Sequence, residues 1–570
     1  MPHVAMARRC LFAAAVLSLL TAGARADDKK TTKAPAPGPR ASVLNSDAWL
    51  NVPLTPAKPG EIDGLILKDL KAAGITPAPR TTDEQFLRRV TLDLTGELPV
   101  PADVTEFVAD KDPNKRAKLI DKLLASDEYA RHWARYWRDV ISARATNQQA
   151  RILTRSFENW MTERIKENKS WGDITRALLT ATGKVEFTDD GTHGDLYFLL
   201  SKNGAAGPED RAAETSRVFL GIQIQCAQCH DHPSDVWKRQ QFHELTGYFA
   251  RGRERLVRDT NSDAKQVRFV GLELVSLPFA EHQMPSKSDP RRGTPTPPRF
   301  LDGKGPRPGL SDVERRKALA DAVVSKDNSW FAGAYVNRVW GELMGQSFYT
   351  PVDDLGPQKE AVFPEVLTRL AASFRATDCD MKALLRTIAN SETYQRQIRL
   401  GDSTSEHLQF AAVYPTRLRA DALWESLTGV LGQVGGPGPG FRPGPGAGGG
   451  PFAGRFGLEG AFKSEFSFDP SLKADEVESS VSQALLMMNN PQINQKIQAR
   501  GTNLLGRILT AYPDDDEALR MVYLRALARK PTDREKDRCL SYIKKAGSRA
   551  EAFEDILWAL LNSTEFQTKR

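Results

Sequence analysis

Residues 119–137 read Leu-Ile-Asp-Lys-Leu-Leu-Ala-Ser-Asp-Glu-Tyr-Ala-Arg-His-Trp-Ala-Arg-Tyr-Trp, and this stretch decides the fold class. Its apolar and aromatic side chains recur largely three and four residues apart: Leu119, Ile120, Leu123, Leu124, Tyr129, Trp133 and Trp137. Residues at this spacing lie on one face of an α-helix, so the stretch predicts a helical region whose aromatic face packs into a core.

Similar helical patterns lie on both sides of this stretch and predict a mainly α chain of two helical domains, with long Pro/Gly-rich loops and little β. Residues 212–229 are predicted as one helix, with Pro233 beyond its end. The predicted segments are a signal peptide at 1–26, a disordered linker at 27–46, an N-terminal helical domain at 47–255, a linker with a short strand at 256–308, and a C-terminal helical domain at 309–570 with a Gly/Pro-rich insertion at 433–457.

The first 26 residues have the three parts of a secretory signal. Arg8 and Arg9 precede an apolar run at 10–22, and Ala24-Arg25-Ala26 has the small-x-small form that precedes cleavage. The apolar run of about 13 residues is shorter than the roughly 20 needed to span a bilayer. We therefore expect an exported protein, periplasmic or extracellular, that has no integral membrane segment after the signal is cleaved.

The net charge and the cysteine content argue against a nucleic-acid partner and against a disulfide-stapled scaffold. The formal net charge is +7, and the signal carries three arginines and no acid, which leaves about +4 on the mature chain. Basic and acidic residues alternate along most helices, so we expect no nucleic-acid partner. Four cysteines in a mature chain of this length are too few for a disulfide-stapled scaffold.

The sharpest chemical signal is the sequence Ile-Gln-Ile-Gln-Cys-Ala-Gln-Cys-His-Asp-His at 222–232. Cys226 and Cys229 are three residues apart, so on a helical turn both thiols face one side, where they can add to the vinyl groups of a haem. His230, directly after them, is then the expected iron ligand. We therefore predict that haem c is bound through Cys226, Cys229 and His230, with a redox or electron-transfer role beside a redox partner protein.

Two other interpretations of this motif stay open. In the first, Cys226 and Cys229 combine with two imidazoles from among His230, His232 and His243 to bind zinc or iron in a tetrahedral site. The chain would then be a haem-free metal-dependent enzyme or a carbohydrate-associated scaffold or interaction protein. In the second, the two cysteines form a structural or redox-active disulfide. Away from this motif, Asp353 and Asp354 are a candidate acid–base or metal pair, although turn formation also explains adjacent aspartates.

Several motifs resemble two domains of unknown function. In the N-terminal half, residues 86–96 followed by Leu98-Pro99, residues 223–237 and residues 248–251 are similar to the domain of unknown function 1549. In the C-terminal half, the motifs similar to the domain of unknown function 1553 are Val336–Gly341, Pro351–Gly356, Leu384–Gln395, Arg417–Ala422, Met488–Pro491 and Leu560–Phe566.

The resemblance covers nearly everything from residue 47 onward and follows the usual order of the two domains. It implies an exported protein of the kind abundant in planctomycetes, whose longer members carry an additional N-terminal module similar to cytochrome c. This sequence has no such module, so no function is carried over from it. The two domains have no assigned reaction, and the resemblance therefore implies an architecture without a substrate.

The signal sequence yields the first prediction. Protein recovered from the periplasm of an export-competent host should begin at Asp27, as measured by intact mass and N-terminal sequencing. Substitution of Ala26→Arg at the cleavage position should leave the precursor uncut, because signal peptidase accepts only small residues there. A wild-type protein that retains residues 10–22 would contradict the expectation.

Overall fold

A computed structural model describes residues 40–41, 49, 51–202, 204, 206–260, 267–398, 410–434, 457–474 and 476–569. The predicted signal peptide at 1–26 lies outside these residues, as do most of the predicted linker at 27–46 and residues 435–456 of the predicted insertion. Arg40 and Ala41, inside the predicted disordered linker, are an exception. They form a short strand within the segment that is predicted as a linker.

Helices dominate the described residues, with little β structure, and this confirms the predicted fold class. In the N-terminal half they are α1 Glu61–Ala72, α2 Asp83–Thr95, α3 Pro101–Ala109, α4 Lys115–Leu124, α5 Asp127–Ser142, α6 Thr154–Lys166, α7 Trp171–Thr180, α8 Tyr197–Leu200, α9 Gly207–Thr215 and α10 Arg239–Thr246. In the C-terminal half they are α11 Asp312–Val323, α12 Ser329–Met344, α13 Pro364–Ala376, α14 Met381–Ala389, α15 Ala420–Leu431, α16 Leu458–Phe466, α17 Val481–Asn489, α18 Pro491–Ile497, α19 Leu504–Ala511, α20 Asp515–Leu527, α21 Asp533–Lys545, α22 Arg549–Leu561 and α23 Thr564–Gln567. Within the described ranges, no helix is both long enough and apolar enough to cross a membrane.

The strands form small antiparallel sheets at the edges of the helical core. They are β1 Arg40–Ala41, β2 Gly183–Glu186, β3 Gly252–Arg258, β4 Phe269–Ser276, β5 Gln283–Pro285, β6 Gly293–Pro295, β7 Ala361–Val362, β8 Thr416–Arg417 and β9 Thr568–Lys569. The largest sheet has the order β2-β4-β3, and the remaining strands pair as β1-β7, β5-β6 and β8-β9. Strand β4 and the β5-β6 pair lie within 256–308, the segment predicted as a linker with one short strand.

The stretch that predicts the fold class forms two helices instead of one continuous helix. Ser126 separates α4 from α5, and its hydroxyl accepts a hydrogen bond from the backbone N–H of Tyr129 at 3.2 Å. An N-cap serine satisfies a backbone donor that the new helix leaves without a partner. Asp127 and Glu128 follow in the first turn, where negative charge interacts favourably with the helix dipole.

The aromatic face of α5 packs at the centre of the core. Trp137 stacks on Trp171 from α7, with 4.1 Å between ring centroids, and on Tyr335 from α12, at 5.5 Å. Tyr335 in turn stacks on Phe374 from α13 at 4.7 Å. Rings from both halves of the chain therefore share one stack, and each buries a large apolar area.

The buried apolar residues form two main clusters. The larger runs from Trp49 to Val413, and the smaller contains mainly residues from Leu418 to Phe566. The predicted division of the chain at 256–308 stays a prediction. The apolar packing itself divides at a different place, between Val413 and Leu418.

Charged contacts join the two clusters. The guanidinium of Arg88 on α2 donates to the backbone carbonyl of Glu565 at 2.8 Å, and the Lys569 ammonium lies 3.0 Å from the Asp93 carboxylate. Asp421, at the start of α15, has a buried carboxylate that pairs with Arg138 of α5 and, at 2.8 Å, with Lys463 of α16. Burial alone would raise the pKa of Asp421, but these cations outweigh burial and hold the pKa far below its ordinary value.

The Asp421 contacts yield a stability prediction. Asp421→Asn should lower the free energy of unfolding by about 3 kcal/mol, because it leaves buried cations short of their counter-charge. Chemical denaturation at neutral pH measures this value. Asp537→Asn, on the exposed face of α21, is the matched control and should change stability by less than about 0.5 kcal/mol. Equal effects of the two substitutions would show that the buried pair has no special role.

Candidate functional site

The Cys226–His230 motif begins after an interrupted helix. Helix α9 ends at Thr215. A π-helical turn follows directly over Ser216–Leu220, and the helical path stops at Gly221. A 3₁₀ turn over Ile224–Gln228 follows and carries Cys226, with Cys229 directly after it. The prediction of one helix over 212–229 is therefore wrong. The reason is the left-handed conformation of Gly221, which reverses the backbone twist.

Gly221 also allows a close approach by the C-terminal half. Its φ angle of 66° is one that other residues rarely adopt. A Cβ atom there would lie 2.9 Å from the Leu355 side chain and 3.1 Å from that of Ala334. In addition, the Leu355 N–H donates to the Gly221 carbonyl at 2.7 Å. The position of the cysteine turn therefore depends on residues more than a hundred positions away in sequence.

The two thiols and the following imidazole all lie at the surface. Cys226 and Cys229 are unpaired and exposed, and His230 is exposed as well. The Nδ1 atom of His230 lies 2.7 Å from the backbone carbonyl of Asp231, which can only accept a hydrogen bond. Nδ1 of a neutral His230 therefore carries the proton, and its Nε2 lone pair is left for a ligand.

The other two histidines of the proposed metal set are placed differently. His243 is buried beneath the turn, and its Nε2 donates to the Gln228 carbonyl at 3.0 Å while its Nδ1 accepts from His282 Nε2 at 2.8 Å. Both of its ring nitrogens are therefore engaged. His232 is partly exposed, and its Nδ1 accepts from the Ser234 N–H at 3.3 Å. Among the described residues, no three His, Cys, Asp or Glu side chains come together in a group suited to a metal ion.

His282 is a site residue that the sequence did not reveal. Its ring lies parallel to that of His243, with 5.0 Å between centroids, and its Nδ1 is 3.9 Å from the Glu209 carboxylate. Burial lowers the pKa of His282 to about 4, and the neighbouring His243 acts in the same direction. No spacing rule could have found this pair, because His282 is 39 residues from His243 and next to a short strand.

A cavity of about 250 Å³ lies beside Cys226. Charged and amide side chains line most of it, including Arg144, Glu214, Arg217 and Gln223. Arg217 contacts the Glu214 carboxylate through its Nε at 3.3 Å. Burial alone would raise the pKa of Glu214, but Arg217 and Lys202 hold it below its ordinary value. The cavity therefore combines ionised groups of both signs next to one exposed thiol.

The adjacent aspartates of the second half point to different partners. Asp353 is buried, accepts from Gln223 Nε2 at 2.7 Å and lies 3.5 Å from the Arg217 guanidinium. Asp354 instead pairs with Lys359 at 3.2 Å. The two carboxylates do not converge on a common ligand. Asp353 holds the residues around the Cys226 cavity through its buried contacts, and the acid–base interpretation of the two aspartates stays a prediction.

A second glycine, Gly356, allows the loop after the cysteine turn to contact the loop at 351–360. Gly356 follows the two aspartates, and a Cβ atom there would overlap the Asp235 carboxylate. Beside this contact, the Lys359 ammonium donates to the Ser234 hydroxyl at 3.2 Å. The loop after the cysteine turn and the loop at 351–360 therefore pack against each other, and a larger side chain at position 356 would separate them.

His282 yields a prediction about pH dependence. Its folded-state pKa of about 4 is below the ordinary value of 6.5, so its contribution to stability is complete above pH 6.5 and is lost as pH falls toward 4. Between pH 6.5 and 4, the free energy of unfolding of His282→Gln should fall by up to about 3 kcal/mol less than that of the wild type. Chemical denaturation at several pH values measures this difference. The control, Phe279→Gln at an exposed position without a titratable group, should leave the pH profile unchanged. Parallel profiles for wild type and His282→Gln would contradict the assignment.

Comparison with known proteins identifies the architecture. Residues 61–254 match the family model PSCyt2, described as a protein of unknown function (DUF1549). Residues 315–444 match the family model PSD1, described as a protein of unknown function (DUF1553). Searches of curated proteins and of solved structures found no match. The chain belongs to the proteins in which a DUF1549 domain is followed by a DUF1553 domain, in the order that its motifs predict.

Proposed function

We propose that this chain is an exported redox protein that binds haem c through Cys226, Cys229 and His230 and exchanges electrons with a partner protein. The observation that carries the proposal is the combination of two free, exposed thiols three residues apart with an exposed imidazole directly after them. This donor set fits the chemistry of covalent haem attachment.

The local backbone supports attachment at both sulfurs. Cys226 lies within a 3₁₀ turn and Cys229 directly follows it. Side chains three residues apart in a 3₁₀ turn are eclipsed, so two thiols at this spacing point to the same side. Each thiol can add its S–H across one vinyl group, and this addition consumes no oxidant.

His230 is the residue that we assign to the iron. Its Nδ1 hydrogen bond to the Asp231 carbonyl fixes the tautomer in which Nε2 is free to bind metal. Asp231 is itself held, because its carboxylate accepts from the Arg239 N–H at 3.0 Å. When bound, haem would supply a one-electron iron couple.

Buried neighbours hold the turn in place from below. The Gln228 carbonyl accepts from His243 at 3.0 Å and from the Arg239 guanidinium at 3.3 Å. Arg239 also donates to the Pro285 carbonyl at 2.5 Å, which ties the turn to strand β5. We assign His243 and Arg239 to positioning the turn, and this leaves His230 as the imidazole that meets the prosthetic group.

The experiment is expression of the full chain in a host with an active haem c maturation system in its periplasm. We expect a Soret band that survives denaturation and a mass increased by one haem. The double substitution Cys226→Ser and Cys229→Ser should abolish both signals, because no thiol remains beside His230 to form a thioether. Cys379→Ser, at a partly buried cysteine away from the turn, is the matched control and should keep them.

Two results would overturn the haem assignment. One is wild-type protein without covalent haem in a host where a co-expressed c-type cytochrome acquires it. The other is stoichiometric zinc or iron without porphyrin by elemental analysis, which would favour the haem-free metal alternative. A mass difference of two hydrogens on reduction, without haem or metal, would instead assign the pair to a disulfide.

A further inference from the structure

A second cavity, of about 390 Å³, lies between α5, α12, residues 468–474 and Val477. We call it the arginine pocket, because Arg338, Arg417 and Arg419 all line it. Its volume falls within the range typical of small-molecule sites. It is separate from the cysteine turn and plays no part in the proposed haem attachment.

The charges around the arginine pocket do not balance. Its charged lining consists of Arg338, Arg417, Arg419, Lys473, Glu342 and Glu360. Glu342 pairs with Lys569 at 2.7 Å and with Arg419 at 3.8 Å, Arg419 also pairs with Asp139 at 3.4 Å, and Lys473 pairs with Glu476 at 3.7 Å. Within the described residues, Arg338 and Arg417 make no ion pair, while Glu360 is exposed at the rim. The pocket therefore has an excess of positive charge.

Arg338 is the central cation of the pocket. Its side chain is 2% exposed and donates to the Ser471 hydroxyl at 3.2 Å, with a further hydrogen bond to Tyr136. Both partners are neutral. The positive charge also acts on the Asp353 and Glu342 carboxylates, but Asp353 is paired with Arg217 and Glu342 with Lys569. Burial of a guanidinium is unfavourable unless anions balance its charge, and Arg338 shares both of these carboxylates with other cations, so it is suited to receive a further anion from solution.

Arg417 carries charge at the outer part of the same pocket. Its guanidinium is half-buried and donates to the Glu478 carbonyl at 3.0 Å and to Gln483 Oε1 at 3.2 Å, with a further contact to Ser479. All of these acceptors are neutral. Burial lowers the pKa of Arg417, which is the direction expected for a cation that lacks a counter-ion.

Aromatic side chains form part of the wall beside the charged residues. Phe348 and Phe410 line the pocket and pack edge to face, with 5.2 Å between ring centroids, and Tyr136 and Phe468 line other sides. The pocket therefore offers aromatic contacts for the apolar part of a ligand together with charged groups that can orient it, two features that ligand sites combine.

We propose that the arginine pocket binds a small organic oxyanion, either a carboxylate or a sulfate or phosphate ester, attached to a ring-sized body. Arg338 and Arg417 hold the anionic group, since guanidinium groups match the geometry of oxyanions with paired N–H donors. The aromatic walls contact the body of the ligand. The site is distinct from the cysteine turn, although the Ser471 hydroxyl, which accepts from both Arg217 and Arg338, joins the two cavities.

The test uses the full mature chain and isothermal titration with benzoate, phenyl sulfate, phenyl phosphate and the neutral benzyl alcohol. We expect saturable binding of at least one of the anions and no measurable binding of the alcohol. The ranking of the three anions identifies which oxyanion the site prefers. The double variant Cys226→Ser and Cys229→Ser should bind the same anion with unchanged affinity, which separates this site from the haem assignment.

Arginine variants locate the binding. Arg417→Gln should weaken anion binding about tenfold or more, the effect of losing about 1.4 kcal/mol, whereas Arg417→Lys should retain part of the affinity because it keeps the charge. Arg291→Gln, whose side chain is 90% exposed in the loop between β5 and β6 and does not line the pocket, is the control and should bind as wild type. Arg338→Gln should abolish binding in protein shown by circular dichroism to be folded.

Three outcomes would overturn the proposal. One is the absence of binding by all three anions up to about 10 mM, tenfold above a weak millimolar Kd. Another is equal binding of the anions and benzyl alcohol. The third is undiminished anion binding by Arg417→Gln, a rim substitution that is informative even where Arg338→Gln fails to fold.

Discussion

The carboxylate of Asp353 is the constraint on which the described arrangement of both cavities depends. It is 1% exposed and lies where the two halves of the chain meet. Burial alone would raise the pKa of this carboxyl, but the charges of Arg338 and Arg217 outweigh burial and hold the pKa below its ordinary value. An ionised group in this position requires partners on every side, and those partners come from different elements. Arg217 and Gln223 therefore stay beside the cysteine turn, and Arg338 stays beside the arginine pocket.

Residues of both family domains pack around the cysteine turn. Gly221 and Asp235 from the first domain pack against Leu355 and Gly356 from the second. Close packing transmits small displacements, so a change in the loop at 351–360 alters the surface on which the cysteines lie. The aromatic stack of Trp137, Trp171 and Tyr335 joins the same two parts of the chain at the core. This common packing gives a physical reason for the two domains to occur together.

The two proposed sites differ in how deeply their functional groups are buried. The cysteine turn presents exposed groups that can be reached by a large prosthetic group and its maturation machinery, and the buried His243 supports it from below. The arginine pocket instead places a cation in a low-dielectric environment, where an anion interacts with it much more strongly than in water. Ser471 contacts Arg217 and Arg338 together, so one hydroxyl connects the charged groups behind both sites.

The sequence by itself determined the mainly helical fold class, the order of the two family domains and the presence of the Cys226, Cys229 and His230 motif. These features depend on local periodicity and short spacings, which neighbouring residues specify directly. It also correctly placed apolar residues such as Trp133 and Trp137 on a buried face. Only the tertiary structure decided that Gly221 interrupts the helix, that His243 pairs with His282, and that Asp353 and Asp354 separate. It also brought Arg338 and Arg417 to one cavity. Each of these features depends on contacts between residues far apart in sequence, where burial and charge pairing outweigh local conformational preference. The spacing of residues within one segment therefore cannot predict them.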